Sequence, residues 1–235
     1  LVNIIYQKKK TKLGLADLRP WDIEAEPAGT TPLHPFKESR ELIDKTIECF
    51  TKLRPFFGEC LKKMDEIKHL DLESRMGKAP GGYNCPLAES GAPFIFMNAA
   101  GQMHDVTTMV HEGGHAVHSF LAHPLPLTGF KEYPMEIAEV ASMAMELFSM
   151  EHWDVYFDNK EELSRAKEHQ LERVITIFPW IAIIDSFQHW LYENPAHTNE
   201  ERTDKWVSIL KEFSDDVIDY SGLETYRSNA WQRQL

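Results

Sequence analysis

With 235 residues, 43% of them hydrophobic, the chain can bury one sizeable core, and its formal net charge of −12 disfavours nucleic acid and anionic membrane as partners. No basic stripe offsets that charge, and no run of about 18 apolar residues stands out as a membrane span. Cys49, Cys60 and Cys85 are odd in number and lack Cys-x-x-Cys spacing, which argues against a disulfide framework or a cysteine zinc site and fits reduced thiols in a cytoplasm.

Residues 1 to 36 carry a short apolar start, Lys8-Lys9-Lys10, and then a stretch rich in Pro, Gly and Thr that ends at Pro35. They read as an extended arm or connector with little helix of its own, leaving 37–235 as the main domain. The chain starts at Leu rather than Met, as a piece of something longer would. From Lys37, Leu42, Ile43, Ile47, Phe50 and Leu53 recur at three and four residues, which predicts an amphipathic helix up to Arg54. Pro55 closes it or opens the next, in which Phe56, Phe57, Cys60, Leu61, Met64 and Ile67 line one face. Cys49 and Cys60 lie on these apolar faces as small core residues.

Glycine and proline punctuate residues 77–86, which should form a loop, and 92–98 is the best strand candidate. An unpaired strand edge can hold an extended peptide as one more strand. Phe94 to Asn98 is the candidate edge, so Phe94, Phe96 and Asn98, with Tyr83 of the preceding loop, are candidate substrate-holding residues; the alternative is a strand paired on both sides.

The most informative stretch is Met109-Val-His-Glu-Gly-Gly-His-Ala-Val-His118. In a helix, His111 and His115 stand one above the other and can point two imidazoles at one cation. Glu112 stays beside the metal but is turned too far round to ligate it, where it can take a proton from an activated water. Val106, Met109, Val110, Val117, Phe120 and Leu121 supply an apolar stripe, and Asp105 can cap the start. Gly113 and Gly114 each cost about 1 kcal/mol relative to Ala inside a helix, so something should pass close to them.

Pro134 opens another helix, from Met135 to Phe148. Two imidazoles need a third protein ligand, and Glu136, Glu139 and Glu146 are the choices here. Glu139, amid Ile137, Ala138, Val140 and Ala141, is favoured as the inward-directed carboxylate, with Glu136 as rival ligand or supporting partner. Residues 161–194 read as a long helix with a kink at Pro179 and with His189 in its apolar face as a core histidine. Thr198-Asn-Glu-Glu201 resembles a capping box at the start of a last long helix.

Three blocks then carry a resemblance to the thimet oligopeptidase and oligoendopeptidase F family of zinc peptidases, on the oligoendopeptidase F side: Gly77-Lys78 through Gly81-Gly82-Tyr83-Asn84-Cys85, His111-Glu-Gly-Gly-His-Ala-Val-His118, and Glu136-Ile-Ala-Glu-Val-Ala-Ser142. The resemblance implies a mainly α, zincin-like metallopeptidase catalytic domain, with a small β-sheet beside the His-Glu-x-x-His helix. It also implies one Zn2+ per chain on His111, His115 and Glu139, Glu112 as general base, and short peptides as substrates cut at internal bonds. Where the family often has a bulky residue, Gly113 stands here, which would widen the site. Family members are about twice this length or more, so the remaining N- and C-terminal parts of a longer enzyme are expected partners, and donors for the oxyanion are expected past Leu235. Two other readings are a metal- or peptide-binding module without turnover and a zinc hydrolase of non-peptide amides.

Overall fold

The computed structural model describes residues 1–213 and 217–233. It differs from the sequence reading first at the amino terminus, where Val2–Leu13 is a helix, α1, rather than an extended arm. Lys, Gln and Leu favour a helix, and Gly14 ends it in the left-handed conformation at φ 66°. Lys8 and Lys12 add ion pairs to Glu168. No residue of α1 is buried, so no apolar period marks it in the sequence.

The chain divides into two compact units, 1–31 with 168–235, and 32–167, rather than after residue 36. Residues 234 and 235, at the end of the expected domain, lie outside the described residues.

Within 32–167, α2 (Ser39–Leu53) and α3 (Pro55–Glu66) form the expected hairpin. Pro55 takes the first position of α3, where its missing N–H leaves nothing unpaired. A three-stranded sheet follows, of β1 (Leu70–Glu73), β2 (Tyr83–Cys85) and β3 (Phe94–Ala99), in the order β1-β3-β2. The chain then runs through α4 (Met103–Ala122), α5 (Met135–Ser149), a 3-10 segment Met150–Val155 and the start of α6 (Lys160–Glu193). Leu42, Phe50, Leu61, Met64, Ile95, Met97, Val106, Met109 and Trp153 fill the core between these elements.

Two expectations about the sheet change. Residues 83–85, taken for loop, form β2, because Tyr83, Asn84 and Cys85 pair antiparallel with Phe96, Ile95 and Phe94. The predicted substrate edge at Phe94 to Asn98 is no edge: β3 is the central strand, with β1 parallel on its other side. The short β1 escaped the sequence reading and occupies the place a peptide would need. The glycine-rich connection between β1 and β2 is tied down from both ends. The nearly buried Lys78 ammonium donates to the Asp71 and Glu73 backbone oxygens at 2.9 and 2.8 Å and stands 4.4 Å from the Phe96 ring centre. The Asn98 amide donates to Ala79 and Gly81 oxygens at 2.8 and 3.0 Å.

The other unit packs Ile183 and Phe187 of α6 against Trp206, Ile209 and Leu210 of α7 (Asn199–Phe213), and a short helix, α8 (Glu224–Ser228), follows. Leu18 bridges to Ile218 in parallel, and Arg19 pairs with Asp219 at 2.7 Å. His189 is not in the core: its side chain is 72% exposed beside Asp185. Two residues beyond Phe187, it is turned about 200° round the helix from the buried face. Contrary to the sequence reading, α6 is long and apolar enough to cross a membrane by length and composition alone. Ile183 and Phe187 of this helix are core residues, although only 11% of its apolar window is buried.

All three cysteines are free, Cys49 and Cys60 buried and Cys85 exposed. Burial pushes both buried thiols up to about 12, so neither offers thiolate near neutrality. A thiol reagent such as DTNB is therefore expected to label one cysteine per native chain and three after denaturation; prompt labelling of two or more in the native state would contradict this packing.

Candidate metal centre

The central helix α4 is stabilised at its start by Asp105, whose carboxylate accepts from the backbone N–H groups of Ala100 and Gln102, both at 2.8 Å. Asp105 thus caps from inside the first turn, reaching back to residues 100 and 102. Further along, His111 and His115 lie one turn apart with ring centres 5.0 Å from each other. Val106, Met109, Val110 and Val117 are buried as the stripe predicts, while Leu121 is exposed.

The two glycines are placed by what passes them. A Cβ on Gly114 would lie 2.8 Å from both the Ser142 Cα and the Met145 Cβ, so α5 crosses α4 at this point. A Cβ on Gly113 would meet Phe50 of α2 at 2.8 Å. Gly113 therefore faces the core, and the expected widening of the site does not occur, because the Phe50 ring fills the space.

This crossing brings α5 carboxylates to the imidazoles. Glu139 Oε2 lies 3.3 Å from His111 Nε2, and Glu139 Oε1 lies 3.7 Å from His115 Nε2. Ligand atoms from His111, His115 and Glu139 all fall within 4.8 Å of one another, and among the described residues this is the one group of its kind. The reasoning that favoured Glu139 differs from what is seen. Its apolar neighbours Ile137 and Val140 are 53% and 64% exposed, and its own side chain is 42% exposed. Glu136 is exposed, with no contact to the cluster.

Glu146 is the carboxylate that is buried, at 4% exposure, and it accepts from His111 Nδ1 at 2.6 Å. That bond fixes the ring and leaves Nε2 turned to the cluster. The sequence held a signal for it, since Glu146 lies seven residues after Glu139, two turns along the same face of α5. His118 lies one turn past His115 on α4 and adds slightly to the lowering of the His115 imidazole. It stacks on Tyr133 with ring centres 4.0 Å apart.

The electrostatics suit a cation. Burial pushes the His111 imidazole down, but Glu146, with Glu112 and Glu139 adding, holds it above the ordinary histidine value. Burial lowers His115, and neighbouring His111 lowers it further. Glu112 is 7% exposed; burial raises its carboxyl, and His111 opposes the rise. The carboxylates that favour a proton on His111 would equally favour a metal between the rings. Two imidazoles and one carboxylate are the donor set of many hydrolytic zinc sites, so these residues fit such an ion.

The model of peptidase family M3 matches residues 2–234 of this chain. The chain belongs to peptidase family M3. Its relatives include the oligopeptidase PepF of Bacillus subtilis (strain 168), 28% identical over an alignment of 199 residues that covers 80% of this chain and 29% of that protein. An oligoendopeptidase F homolog of Lactococcus lactis subsp. lactis (strain IL1403) is 26% identical over 146 residues, 62% of this chain and 24% of that protein. Among solved structures, PZ peptidase A with inhibitor 2 superposes with a TM-score of 0.88 at 29% identity, over 99% of this chain and 41% of that one. The M3 chain described here thus spans well under half the length of these relatives. Its mainly helical, zincin-like fold with a small sheet beside α4 is that of the M3 peptidases.

The remaining expected residues lie on the sheet. Tyr83 stacks on Phe96 with ring centres 5.0 Å apart, and Phe94 meets His69 edge-on. The side-chain amide of Asn98 is taken up by the loop it anchors, which removes the reason to give it a substrate contact. Only Tyr83, 51% exposed, lies on a strand with no neighbouring strand on its outer side among the described residues.

Proposed function

We propose that this chain is the catalytic part of a zinc metallopeptidase that cleaves internal bonds of short peptides. The observation that carries the reading is the convergence of His111 Nε2, His115 Nε2 and the Glu139 carboxylate on one point, with buried Glu112 next to it. His111, His115 and Glu139 would hold one zinc ion. When bound, zinc supplies Lewis acidity, polarising the scissile carbonyl and acidifying the attacking water.

The chain's own residues do the rest. Glu112 takes a proton from the attacking water and passes it to the leaving amine. Its burial raises the carboxyl's affinity for a proton. Glu146 holds His111 in the tautomer that leaves Nε2 free. The outer side of β2, at Tyr83, is where an extended peptide could add as a strand. Oligopeptide substrates are supported by the names of the relatives in Bacillus and Lactococcus. The rest of a longer protein, which those relatives possess, would complete the substrate wall. Three free cysteines fit a cytoplasmic setting.

The test uses the longer protein that carries this segment. Peptide hydrolysis is expected to disappear on treatment with 1,10-phenanthroline and to return on adding about one equivalent of zinc per chain. Hydrolysis that survives complete metal removal would overturn the proposal. Peptide binding without hydrolysis in the zinc-loaded protein would leave a binding module instead.

A further inference from the structure

Glu112 is held from a second direction, by β2. The side-chain Nδ2 of Asn84 donates to the Glu112 backbone oxygen at 3.3 Å. One side chain of β2 thus reaches the main chain of the helix at Glu112.

The surroundings make this contact close. A Cβ on Gly82, just before β2, would lie 3.1 Å from the Thr108 methyl of α4, so the chain enters the strand close against the helix. Asn98 fixes the loop at Ala79 and Gly81, and the Tyr83–Phe96 stack fixes the next residue. Asn84 Oδ1 is buried without a hydrogen-bond partner, so among the described residues the Glu112 oxygen is what holds this amide.

We propose that Asn84 is a positioning residue, tethering β2 to Glu112 so that its carboxylate stays aimed beside the His111–His115 pair. The inference rests on the reading of Glu112 as general base. Helix carbonyls have a second lone pair, so the Asn84 amide can bond there without breaking the helix ladder. Its loss removes a restraint on the main chain that carries Glu112, and small misplacements of a reacting group are costly in rate.

The experiment compares Asn84→Ala, and Asn84→Leu as a variant of near-equal bulk, in the longer protein, each alone and combined with Glu112→Gln. Turnover and KM on a fluorogenic peptide, zinc per chain and the thermal midpoint are measured. Both Asn84 variants are expected to lower kcat about tenfold with KM, zinc content and midpoint unchanged, and to have no further effect once Glu112 is glutamine. An equal loss in both backgrounds, a change confined to KM, or wild-type kcat would overturn the tether. If Glu112→Gln alone keeps wild-type turnover, the general-base reading falls and the tether with it, an outcome distinct from the other three.

Discussion

Replacing Glu139 with alanine is expected to weaken zinc binding by roughly a hundredfold to a thousandfold, since it removes one of three protein donors from a binding free energy of about 10–16 kcal/mol. Replacing Glu146 with alanine is expected to cost less, about ten- to a hundredfold, the usual effect of losing a carboxylate that orients a ligand histidine. The order follows from geometry. Glu139 places one oxygen near each Nε2, at 3.3 and 3.7 Å, whereas Glu146 is occupied with His111 Nδ1 at 2.6 Å. Competition against a chromophoric chelator would measure both. A larger loss for Glu146→Ala than for Glu139→Ala would make Glu146 the ligand and reverse the assignment.

Gly114→Ala is expected to destabilise the chain by about 1–2 kcal/mol and to impair zinc binding with it. Helix propensity alone favours alanine by about 1 kcal/mol. Against it, the new methyl would lie 2.8 Å from the Ser142 Cα and 3.0 Å from the Ala141 oxygen, both backbone atoms that no side-chain rotation can move. Overpacking of this kind typically costs 1–3 kcal/mol, and a rigid helix contact lies near the upper end. Relief requires α5 to retreat from α4, taking Glu139 and Glu146 with it. Gly113→Ala presses on the Phe50 ring instead, so it should cost stability while sparing zinc affinity. Denaturant midpoints and zinc titrations of the two variants distinguish these effects. A Gly114→Ala protein as stable as wild type would refute the tight crossing.

The sequence was most legible where periodicity and chemistry coincide. The α2–α3 hairpin follows from apolar spacing and Pro55, and β3 from its unbroken apolar run. The His111, Glu112 and His115 cluster follows from the helical repeat. Gly114 announced a close neighbour that the structure identifies as α5. Glu139 reached the cluster for a different reason from the one anticipated: the residues flanking it face solvent, and the buried carboxylate on α5 is Glu146. A tertiary crossing decides which glutamate does which, and local sequence carries no record of it. Helix α1 was missed because it buries nothing, and β2 because glycine and proline surround a strand too short to show alternation. The break between the two compact units falls inside the unbroken helix α6, where no composition shift could mark it.

The strand that touches Glu112 has a further property. None of Tyr83, Asn84 and Cys85 is buried, so β2 contributes nothing to the core that holds β3 and α4 in place. Elements with few buried contacts sit at the low end of the range of local opening energies. What holds β2 is therefore its pairing with β3 and the Asn84 bond to Glu112 rather than apolar burial. The strand nearest the proposed base is secured by hydrogen bonds, so its attachment is sensitive to groups that compete for hydrogen bonds and insensitive to repacking of the core beneath it.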